Sequence, residues 1–372
     1  MLATRAERQR EVMVEEGLDA IVSFSPESVA YGAGFIIPSQ AVPIRKRVFA
    51  TVVTPEDETL IVASVERSEA EMRSRIRDIR PYDEFSVDPM RMVADALTEF
   101  GAADGRVAVE LDFLPARHAP SLERHLAKAT IEDAEGVIGR MRSIKTVEEL
   151  DSIRKIAQVV NDVHISLAET AQPGWTEKQM ALHLIEGILA GGGDGVTMLV
   201  VGSGERSVYA NCPPTDRVIG EGDVIRVDIY AHVDGYLSDI ARTLVVGEPD
   251  ARQRDIWAKL CEAQTQLLDW IKPGASSLDV MRRFSALFAE MGLNPGINFV
   301  GHSLGLTLHE DPFINLSSDH ELREGMVLAI EPVYFSDHGG FHLEDEIVLT
   351  ADGVELLSDG RGEMRAIVGA YA

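Results

Sequence analysis

The sequence predicts an α/β N-terminal domain followed by a second domain built from two copies of one α/β motif. Three observations carry this. The chain has 372 residues, enough for two domains at roughly 100–200 residues each. Residues 1–140 alternate short β-branched runs with amphipathic helical stretches, the pattern of an α/β unit. The remainder repeats itself: Gln-Pro-Gly at 172–174 is followed by Thr176 and Gln179, and Lys-Pro-Gly at 272–274 by Ser276 and Asp279.

The elements follow in order. A helix over 4–17, with Val12, Met13 and Leu18 on its apolar side, leads into a strand from Ala20 to Phe24. RVFATVVTPEDETLIVAS reads as a hairpin, two β-branched runs around a turn that holds Glu56 and Asp57 in solvent. Helical stretches at 66–77, 89–100 and 120–128 alternate with the strand RVAVELDF. No clustered chemistry is evident before residue 140. A long charged amphipathic helix over 141–170 opens the second domain, which spans 141–372. Each Pro-Gly turn then enters a helix through a Thr or Ser N-cap, with a side chain three residues on able to reach back. After each helix come a glycine-containing loop, a strand ending in Gly (VVG at 200–202, FVG at 299–301) and a hairpin. Two such halves facing each other place a site at their shared seam.

Composition narrows the partners. Lys plus Arg total 35 against 61 Asp plus Glu, and a formal charge of −26 repels nucleic acid and anionic membranes. No segment reaches the ~18 uninterrupted apolar residues of a bilayer span. The start, MLATRAERQREVMVEEGLD, has no apolar core and is not read as a signal peptide; with only Cys212 and Cys261, the chain is expected to be reduced and cytoplasmic. The glycines at 191–195 lack a following Lys-Ser/Thr, and Gly202 and Gly204 do not complete a dinucleotide fingerprint.

The two hairpins are acidic. In VIRVDIYAHVDGYLSDIARTLVV, a reversal at Val233 and Asp234 sets Asp228 opposite Asp239. In VLAIEPVYFSDHGGFHLEDEIVLT, a turn at Asp337 and His338 sets Glu331 against Glu344. A single strand carboxylate is ordinarily a solvent-face residue. Here Asp228, Glu331 and Glu344 interrupt strands whose apolar runs (Val224, Val227, Ile229; Val327, Leu328, Ile330) predict burial, where opposed like charges need compensation. Four carboxylates balance two divalent cations, and oxygen ligands with one imidazole suit Mn²⁺, Co²⁺, Fe²⁺ or Zn²⁺. The imidazole comes from GHSLGLTLHEDP, where one of His302 and His309 can ligate while the other faces substrate.

These residues resemble the pita-bread metallohydrolases, the family of Xaa-Pro dipeptidases (prolidases), aminopeptidase P, methionine aminopeptidase and creatinase. RAERQREVMVEEGLDAIVSFSPESVAYGAGF resembles the start of the creatinase-type N-terminal domain, and MRSIKTVEELDSIRKIA the entry to the catalytic domain. PPTDRVIGEGDVIRVDIYAHVDGYLSDIARTLVVG, GHSLGLTLHEDP, EGMVLAIEPVYF and HLEDEIVLT resemble the successive catalytic motifs. The resemblance implies an α+β pita-bread domain with an internal pseudo-two-fold repeat. It makes Asp228, Asp239, His302, Glu331 and Glu344 the ligands of a dinuclear centre, usually manganese or cobalt, with Asp239 and Glu344 bridging. Glu331 would relay a proton from water to the leaving nitrogen, and His309 would contact substrate and stabilise the oxyanion. A homodimer is the family habit.

Two positions depart from the family. Asn211 stands where prolidases and aminopeptidase P usually have a substrate-binding histidine. His342 stands where many proline-specific members have an arginine that holds the metal-bound acids or the substrate carboxylate. The resemblance implies a two-metal hydrolase of a C–N amide bond, with Xaa-Pro dipeptides as substrate. Asn211 and His342 favour the alternative of a small non-peptide amide or amidine, as in ectoine hydrolase. An alternative of another class is a non-catalytic scaffold or binding member of the fold, against which the retention of all five ligands argues. Cys212, beside the site, reads as a small buried hydrophobe.

Overall fold

The computed structural model describes residues 4–40, 42, 44 and 47–368, which form two compact units, Met1–Arg142 and Ser143–Ala372. Helix α1 (Arg5–Glu16) is closed by a Thr4/Glu7 capping box and by Gly17, and strand β1 (Ala20–Ser23) follows it. Then come α2 (Pro26–Ala33), β2 (Ala50–Val53), β3 (Glu58–Ala63), α3 (Arg67–Arg73) and β4 (Ile79–Tyr82). The unit continues through α4 (Pro89–Glu99), β5 (Arg106–Val109), α5 (Ala119–His125), β6 (Thr130–Asp133) and α6 (Glu135–Ser143). The strands make one mixed sheet in the order β4-β3-β2-β1-β5-β6.

Most expected elements are present with shifted ends. The helix expected over 66–77 stops at Arg73, and the chain turns into β4; the strand RVAVELDF ends at Val109. The reason lies in Glu110, whose buried carboxylate accepts from the backbone N–H of Phe24 and Ser25 and from the hydroxyls of Ser25 and Ser28. That acid anchors the N-terminus of α2, a helix the periodicity does not announce. Glu56 and Asp57 are exposed in the β2–β3 turn, as expected.

The second unit begins with a correction. The single helix expected over 141–170 is two, because the chain breaks after α6 and restarts at Thr146, which caps α7 (Val147–Thr170) through a capping box with Glu149. Helix α8 (Glu177–Ala190) and strands β7 (Gly195–Ser203), β8 (Val224–Val233) and β9 (Tyr236–Val246) complete the first half. The second half repeats the order: α9 (Ala251–Trp270), α10 (Ser277–Glu290), β10 (Phe299–Ser303), β11 (Glu310–Asn315), β12 (Val327–Ile330), β13 (Val333–Ser336), β14 (Gly339–His342), β15 (Asp345–Thr350), β16 (Gly353–Leu356) and β17 (Arg365–Ile367).

The repeat read from the Pro-Gly turns is real in three dimensions. Helices α8 and α10 are each 14 residues long; Thr176 and Ser276 accept from the N–H three residues on; and each cap pairs as an isolated bridge, Thr176 with Val218 and Ser276 with Glu321. Helices α7 and α8 back the sheet β17-β9-β8-β7, and α9 and α10 back the sheet β11-β10-β12-β15-β16. Strands β14 and β15 pack on β8 and β9, so the halves meet through their strands. No helix among the described residues is long and apolar enough to cross a membrane.

Candidate metal centre

The seam between the halves is lined by acids. Asp228 on β8 and Asp239 on β9 are 2% exposed. Their register differs from expectation: Asp228 pairs with Ala241, and Asp239 pairs with Tyr230. The reversal is the two-residue turn Asp234-Gly235, both at positive φ (52° and 84°), and not Val233-Asp234. The two acids therefore stand diagonally on one face, not directly opposed.

The second hairpin turns at Asp337-His338 as expected, but its ladder is interrupted. Strands β13 and β14 pair by themselves, and β12 pairs with β15 beyond a gap. Glu331 and Glu344 face each other in that gap. Each gives its N–H elsewhere, Glu331 to the Val300 carbonyl (2.9 Å) and Glu344 to the Ala241 carbonyl (3.1 Å). The second bond ties the acid of one half to the strand that carries Asp239.

His302, on β10 and 1% exposed, completes the cluster. Its Nε2 lies 3.5 Å from Asp239 Oδ2 and 3.4 Å from Glu331 Oε1, while Nδ1 is 3.0 Å from the Ser303 carbonyl. A neutral imidazole that donates from Nδ1 to a carbonyl presents the Nε2 lone pair to the acids. His309 is exposed at the edge, its ring 4.3 Å from that of His302 and flanked by Phe299 and Phe313. His342, at the end of β14, is buried among Asp228, Glu331 and Glu344. Asn211 is exposed in the β7–β8 loop beside buried Cys212, which packs with Val200, Tyr230 and Leu308. Burial pushes the Cys212 thiol pKa up, in keeping with a packing role.

Electrostatics explain what the cluster requires. Burial raises the pKa of Asp228, and burial together with the neighbouring acids raises Asp239 and Glu344 well above the carboxylate range. Burial opposes ionisation of Glu331 as well, but the His302 and His342 imidazoles beside it hold its carboxyl down at about 2. Asp228 Oδ1, Asp239 Oδ1 and Glu344 Oε2 are buried without a hydrogen-bond partner. Hard oxygen donors left unsatisfied in the interior, converging with an imidazole, fit divalent cations. The trios His302/Glu331/Glu344, Asp228/His342/Glu344 and Asp239/His302/His309 each bring ligand atoms within 4.8 Å of one another.

Several supporting residues carry no local sequence signal. Tyr230 donates to Asp228 Oδ2 (2.8 Å). Arg226, 2% exposed, lies 3.6 Å from the same oxygen and donates to the carbonyls of Ser207, Tyr209 and Ala210. Arg242 pairs with buried Asp345 at 2.7 Å and donates to the Glu344 carbonyl, while Glu346 accepts from the Asp239 N–H. Lys145 reaches Glu310 at 3.1 Å and the Ser303 hydroxyl at 3.0 Å, clamping both ends of the segment that carries His309. Only the period-2 placement of Tyr230 two residues after Asp228 could have pointed to any of these.

A duplicated domain with buried acids and an imidazole at its seam is that of a metal-dependent hydrolase. The chain belongs to metallopeptidase family M24, whose model matches residues 151–351; the Creatinase/Prolidase N-terminal domain model matches residues 5–144. A probable dipeptidase PepE from Mycobacterium tuberculosis is 34% identical over 269 residues, 72% of this chain and 70% of its own. A Xaa-Pro dipeptidase from Pyrococcus horikoshii is 27% identical over 358 residues, 95% and 96% of the two chains. The solved dipeptidase PepE of Mycobacterium ulcerans superposes with a TM-score of 0.83 at 27% identity, covering 98% of this chain and 97% of that one. The protein is thus a hydrolase of this family that requires divalent metal ions.

Proposed function

We propose that the chain cleaves the C–N bond of Xaa-Pro dipeptides, using two divalent ions, manganese by preference, held by Asp228, Asp239, His302, Glu331 and Glu344. The observation that carries this is the set of orphaned carboxylate oxygens of Asp228, Asp239 and Glu344 in one seam with His302, whose Nδ1 is committed to the Ser303 carbonyl. When bound, the cations supply Lewis-acid polarisation of the scissile carbonyl and an acidified water. Ionised Glu331 takes the proton of the attacking water and passes it to the leaving nitrogen. Desolvation lowers the pKa of His309 and so favours the neutral ring, which donates an N–H to the developing oxyanion. Asp239 and Glu344 would contribute to holding both ions, and catalysis by residues 141–372, a homodimeric assembly and a cytoplasmic location complete the reading.

The test is proline release from Gly-Pro and Ala-Pro by protein reconstituted with Mn²⁺, with Asp239→Ala as the metal-site control. Metal-dependent release on the order of 1 s⁻¹ or faster supports the proposal. A second reading, hydrolysis of a small non-peptide amide, is favoured by exposed Asn211 and by His342, whose ring is turned into the acid cluster. Protein that holds two ions and releases no proline would select it.

A further inference from the structure

His342 is a buried ring of the seam that the proposed mechanism does not use. Its side chain is 4% exposed, and neither Nδ1 nor Nε2 makes a hydrogen bond. Nε2 lies 3.3 Å from Glu331 Oε2 and 3.7 Å from Glu344 Oε2, and Nδ1 lies 3.9 Å from Asp228 Oδ2. This aim is built in. The backbone N–H of His342 donates to the Thr243 hydroxyl (2.8 Å), which donates back to the His342 carbonyl (2.9 Å), so β14 is locked to the strand that carries Asp239.

A buried imidazole without partners is costly, and two arrangements would satisfy it. As an imidazolium it would donate to the acids. Yet neither nitrogen is oriented to hydrogen-bond any of the acids around it. As a neutral ring it offers a lone pair, and Asp228, His342 and Glu344 already bring one ligand atom each within 4.8 Å of one another.

We infer that His342 is itself a metal ligand, supplying an imidazole nitrogen to the ion held by Asp228 and Glu344. The inference rests on the dinuclear reading above and extends it. Each ion then has its own imidazole, His302 for the one and His342 for the other, with Glu344 common to both trios. Because imidazole favours borderline cations over manganese, the His342 site discriminates more strongly for Co²⁺ and Zn²⁺ than an all-carboxylate site would.

The full chain and its His342→Phe and His342→Gln variants, each checked for fold by circular dichroism, are titrated with Co²⁺ and Mn²⁺ against a competing chelator. The Co²⁺ visible spectrum and the ¹⁴N couplings of the Mn²⁺ form by pulsed electron paramagnetic resonance are recorded alongside. The expected result is two ions in the wild type, a loss of about 10–100-fold in affinity for one of them in the variants, a changed Co²⁺ spectrum, and one imidazole coupling fewer. Unchanged spectra and couplings overturn the inference whatever the affinities do, since a residue that merely positions the acids leaves the nitrogen count intact. Wild-type protein that takes up no metal overturns the dinuclear reading as well, a result distinct from two ions bound without His342.

Discussion

The Tyr230 hydroxyl donates a 2.8 Å hydrogen bond to Oδ2 of Asp228, two residues back on the same strand and the same face, leaving Oδ1 of that acid free. The tyrosine thereby selects the orientation of that carboxylate. Tyr230→Phe removes that selection without opening a cavity, so metal affinity is expected to fall by about 10-fold or more while thermal stability changes little. Chelator-competition titration beside a melting curve checks both; a shared loss of affinity and stability would reduce Tyr230 to a core residue.

Arg242 and Asp345 form a pair with almost no solvent contact, and Gln264, Ser358 and the Gly360 N–H satisfy the remaining Asp345 lone pairs. Removing one partner leaves a buried charge uncompensated. Asp345→Ala is therefore expected to cost about 3–5 kcal/mol in urea unfolding, far more than any surface ion pair such as Lys128–Asp104.

His309 stands at the exposed edge of the cluster and makes no part of its buried acid set. Replacing it with Ala should lower turnover by about 100- to 1000-fold while two ions remain bound, measured by steady-state kinetics and metal analysis. Loss of an ion would instead make His309 a ligand.

Burial, then the charges of Arg242 and Arg365, depress the pKa of His164 from 6.5 to about 3, and its Nε2 is 3.0 Å from the Ile240 carbonyl. The unfolded chain binds a proton there that the folded chain refuses. Stability from this group is complete above pH 6.5 and is lost as pH falls towards 3, by up to about 1.4 kcal/mol per unit. His164→Gln keeps a donor for Ile240 but does not titrate. The stability advantage of wild type over this variant, followed by denaturant unfolding between pH 7 and pH 4, is expected to shrink steadily.

Removing metal should also destabilise, because the four acids lose the charge that compensates them. Excess chelator is expected to lower the melting temperature of wild type and to leave that of Asp239→Ala nearly unmoved, readable by calorimetry.

Much of the seam is legible in the sequence because it is written in local periods. Asp228, Asp239, Glu331 and Glu344 interrupt apolar strands, and the repeated Pro-Gly caps at Thr176 and Ser276 reveal the duplication that brings them together. A turn centred on Val233-Asp234 lies one residue early and so misses the register of the first hairpin. Asp234-Gly235 is the stronger two-residue signal, since both positions adopt the positive φ that a twisted hairpin needs. The break at Thr146 is less visible, because a capping box inside a charged amphipathic run looks like more helix. Pairs such as Lys145–Glu310 and Arg242–Asp345 lie more than a hundred residues apart, and no periodicity encodes them.

The interruption at Glu331 and Glu344 leaves the β13–β14 arm outside the β12–β15 ladder, and the reciprocal Thr243–His342 hydrogen bonds seat it on β9 instead. The two glutamates border the end of the β12–β15 ladder, so the arm that aims His342 and the ladder beside the acids are held by separate sets of backbone bonds. The position of His342 is thus set independently of the strand pairing that flanks Glu331 and Glu344.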